Sequence, residues 1–547
     1  MTAYRRSLVL AILGLCAALI ATSRSGSAQA GARARLDTSM FAPSSDCTAC
    51  HNNLSGPRGE DVSIAAAWRG SIMANAARDP YVHASVRRET LDHPTHAPVI
   101  EDECATCHLP ASRHVAHAAG AAGTVFEHLS AAPASAIGEL GRDGVTCTVC
   151  HQIAADRLGT TSSFNGGFTI APANASGRRR AFGPLSPDAG RRRIMHSATG
   201  FEQEQAAHVS ESELCATCHT LITEAIGRDG NVIGSLPEQM NYQEWRHSAF
   251  FEERRSCQSC HMPRVQGPVR VASVLGNYRD SLARHTFLGG NAFMLRMLNR
   301  YRDELRVEAQ SSELESAERA TVAQLERDTA TLEIARASED AGGLAIDVVV
   351  RNLAGHKFPT GYPSRRAWLH VIVRDRHGRA MFESGRIAPS GAIEGNDSDA
   401  DGRAFEPHYR QITNADQVQI YESIMGMPDG SPTTGLLQAT QYLKDNRLLP
   451  RGFDKRTADR QIAVLGHAAA DDDFAGGIDR VEYRIATAGA ASVDVELRYQ
   501  SIGFRWARNL DAYDAREPRA FLRYYDSLAS ESSVVIRRAT SVISPAR

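Results

Sequence analysis

The chain has 547 residues, of which 42% are hydrophobic and 23% charged, and its formal net charge is -2 at neutral pH. This composition is typical of a folded globular protein of two or three domains and excludes a largely disordered chain. The nearly balanced charge shows no basic footprint, so we expect no nucleic-acid partner.

Residues 1–30 have the three parts of a secretory signal peptide. Arg5 and Arg6 precede an apolar run over 8–20, and small residues at 28–30 form a cleavage pattern. The run is short for a transmembrane helix, and no later stretch reaches about 18 apolar residues. We therefore expect a soluble mature chain in the periplasm, at the cell surface or secreted, without a transmembrane segment.

Five copies of the pattern C-x-x-C-H follow the signal and use ten of the eleven cysteines. Random placement of the 20 histidines would put His after all five pairs with a probability of about 10^-7, so the His belongs to the motif. The copies, numbered one to five, are Cys47, Cys50 and His51; Cys104, Cys107 and His108; Cys147, Cys150 and His151; Cys215, Cys218 and His219; and Cys257, Cys260 and His261.

A C-x-x-C-H motif could hold zinc, a redox disulfide or a covalent haem. Zinc ribbons and thioredoxin-like pairs do not require the His, whereas haem c chemistry explains every position. Two thiols bind the vinyl groups of one porphyrin, and a His at i+4 on the same helical turn reaches the iron. The five motifs therefore predict five covalently bound haem c groups, with each motif His as an iron ligand.

The motifs divide the chain into segments. Residues 31–299 contain all five, with Pro- and Gly-punctuated connections, which predicts a loop-rich, mainly helical pentahaem cytochrome domain. Apolar residues at i, i+3 and i+4 predict a helix over 291–310, and a charged helix continues it through the connector 300–328.

Residues 329–547 change to a period of two. Five short segments alternate apolar and polar residues between turn signals, which predicts an antiparallel β-sandwich ending in a helix over 516–532. The strand segments are 331–337, 344–352, 367–375, 418–424 and 493–500. The predicted class is thus α+β, with a cytochrome domain followed by a β-sandwich domain.

Several segments resemble the cytochrome c-554-like multihaem cytochromes. Besides the motifs, they are "WRGSIMANAARDP", "SELCATCHTL", "EWRHSAFFEERRSCQSCHMP" and "GHKFPTGYPSRRAW". The resemblance covers most of the mature chain. It implies closely packed covalent haems that pass electrons outside the cytoplasm, in a family that includes electron carriers and reductase-like proteins.

The second axial ligands must come from outside the motifs. In the resembled family W-x-x-S-x-H supplies a distal His, and Trp68, Ser71 and Met73 match it with Met in the last place. Each candidate could instead be a core or surface residue, and we rank His285 and His356 highest because each lies in a tight Gly-containing segment. The candidates are Met73, His117, His208, His247, His285 and His356.

Charged segments suggest further sites. Arginines at 178–180, 191–193, 365 and 366 are candidate partners of haem propionates. The segment 397–402, with Asp397, Asp399 and Asp401, matches the first half of a calcium loop, although position twelve is His408 rather than Glu. Calcium is therefore a second candidate cofactor.

Two functions from different classes fit these patterns. The favoured one is an electron carrier between redox protein partners or an extracellular acceptor, with no catalytic residue. The alternative is a reductase that acts on a small nitrogen or sulfur compound at one open iron. No motif ends in Lys, the replacement typical of pentahaem nitrite reductases, which favours the carrier. A β-sandwich adhesion module has no support beyond the strand pattern.

Overall fold

The computed structural model describes residues 37–130 and 135–544. The predicted signal peptide lies outside that range. Among the described residues, no helix has the length and apolar character needed to cross a bilayer.

The N-terminal half is built from short helices joined by long loops, as its Pro- and Gly-rich connections predict. Helices α1 to α13 are Ser44–Thr48, Ile64–Arg69, Pro80–Asp92, Ala97–His108, Pro110–Ala118, Phe126–Ser130, Ala136–Arg142, Cys147–Cys150, Ala189–Thr199, Ser212–Ala216, Asn241–Arg246, Ala249–Glu252 and Cys257–His261.

Three small sheets lie among these helices, and each has two strands. The parallel pair is β1 and β2, and the antiparallel hairpins are β3 with β4 and β5 with β6. Their bounds are Arg179–Gly183, Phe201–Gln205, Leu221–Ile226, Val232–Gln239, Pro268–Arg270 and Tyr278–Asp280.

Two helices lead out of this half. Asn291 caps α14 (Ala292–Arg300) by accepting from the Met294 N–H at 3.2 Å, and a capping box of Gln310 and Glu313 begins α15 (Ser311–Asp328). The prediction of one helix over 291–310 is wrong beyond Arg300. The chain turns there, and Arg306 has a left-handed φ of 53° that an α-helix cannot contain.

The C-terminal half contains the remaining elements. The strands β7 to β18 are Ala330–Asp340, Gly343–Asn352, Arg366–Asp375, Ala380–Ser384, Gln411–Ile412, Ile420–Tyr421, Ser423–Gly426, Pro432–Thr433, Gln441–Asp445, Ile478–Ile485, Ala490–Gln500 and Ser533–Val542. The helices α16 to α18 are Asp397–Ala400, Phe504–Arg508 and Arg516–Leu528.

The longer strands form two sheets that share one apolar core. One sheet has the order β10-β9-β17-β18, with β12 also paired to β9, and the other has the order β11-β16-β8-β7. Alternation along β17 turns Val493, Val495 and Leu497 inward, where they join Val481 and Tyr483 of β16. Mixed helix and sheet agrees with the predicted class, although β11 pairs with β16 in parallel.

A second apolar cluster connects the two halves. It combines Tyr81 of α3, Met294 and Leu298 of α14, and Phe521 and Tyr525 of α18. Residues from the predicted cytochrome domain and from the end of the chain therefore share one packed core. The predicted boundaries at 299 and 328 stay predictions.

The geometry gives no support to calcium at 397–402. Asp399 accepts two hydrogen bonds of 2.8 Å from the Arg366 guanidinium and one of 2.7 Å from the Ile393 N–H, and Asp401 pairs with Arg403. The carboxylate at the centre of the segment is thus neutralised by an arginine. Arg366 in turn is unavailable to a propionate.

We expect Asp399→Ala to lower the free energy of unfolding by about 3–5 kcal/mol, because it leaves the buried Arg366 guanidinium without its counter-charge. Asp401→Ala is the matched control: its pair with Arg403 is solvent-exposed, so its loss should change the free energy of unfolding far less. Denaturant titration of both variants measures the difference. Equal losses, or stabilisation of the wild type by added calcium, would contradict this account.

Candidate functional site

One large cavity runs through the N-terminal half and reaches the loop after β8. Its volume is about 2210 Å3, and fourteen of the fifteen motif residues line it, all but Cys50. A pocket for one drug-sized ligand spans roughly 300–1,000 Å3. The cavity therefore has room for several large groups held by the motifs.

Each motif is a single helical turn. The N–H of the motif His donates to the carbonyl of the first Cys at 3.1 Å in motif one and at 3.0 Å in motifs three and four. Motifs two and five lie within α4 and α13. This i to i+4 bond places the first Cys and the His on one side of the turn, as the spacing predicts.

The motifs come together through their first or second cysteines. Neighbouring cysteine side chains place motif one beside motif three, motif two beside motif four, and motif four beside motif five. The pairs are Cys47 with Cys147, Cys107 with Cys218, and Cys215 with Cys257. The motifs are thus one connected group.

Backbone carbonyls hold the motif imidazoles by one nitrogen. His51 Nδ1 lies 2.6 Å from the Val271 carbonyl oxygen and His151 Nδ1 lies 2.5 Å from that of Phe182. His261 makes the same bond to Leu288. A carbonyl only accepts, so Nδ1 carries the proton and Nε2 keeps a free lone pair, which is the tautomer that a metal ligand requires.

Burial keeps four imidazoles that line the cavity neutral. Desolvation lowers the pKa of His151 and His261, and it lowers that of His219 to about 4 and that of His285 to about 3. Neutral imidazole is the form that binds a metal.

Two predicted distal histidines face motif histidines across the cavity. The ring centroids of His151 and His285 are 6.3 Å apart with planes 19° from parallel, and those of His261 and His356 are 6.2 Å apart at 19°. Two metal–nitrogen bonds of about 2 Å, with each ring centroid about 1.1 Å behind its nitrogen, require roughly 6.2 Å. Both pairs fit one iron between the rings.

The facing histidines have the same tautomer as the motif histidines. His285 Nδ1 lies 3.1 Å from the Ala283 carbonyl oxygen, and His356 Nδ1 lies 2.8 Å from that of Lys357. Each Nε2 is therefore free. Sequence reasoning ranked these two residues highest, and the geometry supports both.

The other predicted ligands are placed less favourably. Met73 lines the cavity, but His117, His208 and His247 do not. His117 is 44% exposed and bonds Asp102 at 2.7 Å. His208 and His247 use Nε2 to reach backbone carbonyls at 2.8 and 3.0 Å. These positions argue against ligation by the three histidines.

His83 is a half-buried histidine near motif two that sequence reasoning did not consider. Its Nε2 lies 2.8 Å from the Ala77 carbonyl oxygen, and His108 Nδ1 lies 3.3 Å from the neighbouring Ala76 oxygen. Like His208 and His247, it uses Nε2 on a carbonyl and lies outside the cavity lining, so its position argues against ligation. Burial lowers the pKa of His108, and the nearby His83 lowers it further. The sequence offered no signal beyond a His one turn into the Pro-initiated helix α3.

A buried charge network holds the loop that carries His356. Glu244 of α11 accepts from the Lys357 N–H at 3.2 Å and from the Thr360 hydroxyl at 2.6 Å. Lys357 Nζ lies 2.7 Å from Asp445, and Arg447 bridges Asp445 to Glu244. Burial opposes ionisation of Asp445, but Arg447 and Lys357 lower its pKa to about 2. The network fixes the C-terminal half against the cavity.

A second cluster, far from the motifs, has metal-ligand composition. Within the described residues, His408, Asp471 and Asp479 are the one group of three such side chains within 4.8 Å. Gln419 and Asn446 donate to His408 Nδ1 at 2.8 and 3.1 Å, and their amide oxygens accept backbone N–H groups. Nε2 must then carry the proton and donate to Asp471, so this cluster does not fit a metal.

One comparison, with a solved structure, bears on the fold. No family model matches the chain, and no curated protein matches it. The chain is similar to a penta-heme cytochrome c552 from Thermochromatium tepidum, a crystal structure, at 17% identity and a TM-score of 0.50. The match covers 92% of this chain and 100% of the other. The chain therefore has a multihaem cytochrome c-like fold; membership of the c-554-like group stays a prediction.

We expect His356→Ala to convert one low-spin iron to high-spin in the haem-loaded protein, because one of the two facing imidazoles is removed. Haem content should not change, since attachment needs only the thiols. Low-temperature EPR with haem quantification measures both.

His208→Ala is the matched control for His356→Ala. Its ring is also buried beside the motifs but lies outside the cavity lining, so the EPR spectrum should be that of the wild type. A high-spin signal in the control, or none in His356→Ala, would contradict the assignment.

Proposed function

We propose that this chain is a secreted pentahaem c-type cytochrome that transfers electrons between redox partners outside the cytoplasm. One observation carries the proposal: all five motifs border a single cavity and contact one another through their thiols. The multihaem cytochrome fold and the predicted signal peptide support it.

Haem c at each motif would supply an iron that gains and loses one electron. The cysteine contacts place motif one next to motif three, and they place motifs two and five next to motif four. Burial raises the pKa of Cys150, and the charge of Cys218 raises it further. Motifs three and four are therefore neighbours. This order gives one continuous series of redox sites, which a carrier needs.

The chain's own residues would tune these sites. Carbonyl groups would orient the imidazoles of motifs one, two, three and five and increase their basicity, and His285 and His356 would supply second axial nitrogens at motifs three and five. Arg365 lines the cavity, donates to the Thr360 carbonyl at 2.6 Å and has no carboxylate partner among the described residues. We assign it to a propionate.

A reductase is the second candidate, favoured by one specific observation. Of the histidines outside the motifs, only His285 and His356 line the cavity as the structure describes it. His51, His108 and His219 therefore have no facing imidazole in the lining, and Met73 could serve at most one of them. An iron left open could bind a small nitrogen or sulfur compound.

Five intact motifs predict five covalent haems. Mass spectrometry of the mature protein from a maturation-competent host, after acid-acetone extraction, should show all five. Cys47→Ala with Cys50→Ala should lower the count to four, because motif one then has no thiol for the vinyl groups. Bound zinc, or fewer than five haems in the wild type, would refute the cofactor assignment.

Carbon monoxide separates carrier from reductase. For a carrier with six-coordinate irons, we expect the reduced protein to bind it weakly or not at all, because no axial position is vacant. Turnover of nitrite, hydroxylamine or tetrathionate should not exceed a free-haem background. Stoichiometric binding at one iron, with sustained turnover of one of these compounds, would instead establish the reductase.

A further inference from the structure

Exposed apolar side chains concentrate on two neighbouring segments beside motif one. They are the loop and helix at 184–199 and the β5–β6 hairpin at 268–280. Of the twelve large apolar residues that are exposed in the described chain, five lie here, with exposed fractions of 39, 40, 51, 63 and 64%. They are Leu185, Ile194, Val274, Leu275 and Tyr278. We call them the apolar patch.

Hydrogen bonds join the two segments into one surface. Arg191 Nε donates to the Leu275 carbonyl at 2.6 Å, and an Arg279 Nη donates to the Ser186 carbonyl at 3.1 Å. The patch therefore extends across both segments. Exposed apolar groups clustered in this way mark interaction sites, whereas scattered ones do not.

The same segments form the wall of the cavity at motif one. His51 Nδ1 bonds the Val271 carbonyl, and the Ser273 N–H donates to the Cys50 carbonyl at 2.8 Å. Leu185, Arg191 and Arg279 line the cavity from within. A single layer of chain thus separates motif one from the patch.

The surroundings of the patch are basic. The two segments contain five arginines against two aspartates, Asp188 and Asp280. Arg193 and Arg270 are exposed, do not line the cavity and have no carboxylate partner in the described part of the chain. Arg270 lies over the Tyr278 ring, 5.1 Å from its centroid, so the charge borders the apolar surface directly.

We infer that this patch is the docking surface of a small acidic electron-transfer protein, which exchanges electrons with the chain at motif one. This inference rests on the proposed function and names the class of partner. A compact apolar centre with a charged rim suits transient redox contacts, and charge complementarity raises their association rate. The thin wall behind the patch distinguishes this occupant from a lipid surface, which would need no redox site there.

Leu275 provides a sharp test because its backbone is left-handed, with a φ of 51°. A bulky residue rarely adopts this conformation, and Asn adopts it more readily. Leu275→Asn should therefore keep the turn while removing exposed apolar surface. A second variant, Arg193→Glu with Arg270→Glu, reverses the charge of the rim.

The probe is a plant-type [2Fe–2S] ferredoxin, a small acidic protein, followed by stopped-flow reduction of the haem-loaded chain. We expect the wild-type association rate constant to fall by about 10-fold or more between low and high ionic strength. The charge-reversal variant should lose about 10-fold at low ionic strength. Titration calorimetry with oxidised ferredoxin should show weaker binding for both variants.

Arg376→Glu is the matched control, because Arg376 is an exposed arginine in the turn between β9 and β10 and has no carboxylate partner among the residues that the structure describes. It should change the rate constant by less than about 2-fold. Reduction of the wild type by dithionite tests the proposed function separately. If dithionite does not reduce the chain, the redox sites are absent, and the result says nothing against the docking surface.

Three results would overturn the docking inference. The first is a ferredoxin rate that does not depend on salt or on either patch variant. The second is sedimentation showing a wild-type dimer that the patch variants dissociate, which would make a second copy the occupant. The third is binding to phosphatidylserine vesicles that the variants abolish while the ferredoxin rate is unchanged, which would make a lipid surface the occupant.

Discussion

The bond between a buried imidazole Nδ1 and a backbone carbonyl is the constraint on which the rest of the N-terminal half depends. His51, His151 and His261 take their acceptors from residues 271, 182 and 288, which are distant along the chain; Phe182 belongs to β1, and the other two lie in loops. Each segment must follow a path that presents one carbonyl to one ring. The long irregular connections are therefore part of the site, because they set both the tautomer and the orientation of each ring.

The same requirement explains how the two halves are joined. The loop after β8 must place His356 opposite His261, yet it also contains Lys357, which is fully buried. The cation is tolerated because Asp445 pairs with it and Glu244 anchors the loop backbone. Removing one partner would leave a buried charge uncompensated. The main effect of the network is therefore to fix the position of the loop, and its net contribution to stability is smaller.

Local patterns in the sequence predicted local structure well. The motif turns, four of the five alternating strands and the final helix appear, because these patterns depend on residues that are close in sequence. The fifth predicted strand, 418–424, is divided into β12 and β13, which pair with different strands. The facing of two rings was less accessible: a nearby Gly ranked His285 above His117, but no sequence pattern specified that His285 would lie opposite the motif residue His151. Asp399 resembled a calcium ligand because its partner, Arg366, is 33 residues away.

Under the proposed function, the order of the motifs limits where electrons could enter and leave. Motif four lies at the branch of the cysteine contacts, so motifs one, two and five are the ends of the connected group. Arginines surround motif one. At motif two, burial raises the pKa of Glu103, and the nearby Glu224 carboxylate raises it further. Ends of opposite charge would attract different partners, so donor and acceptor need not compete for one surface.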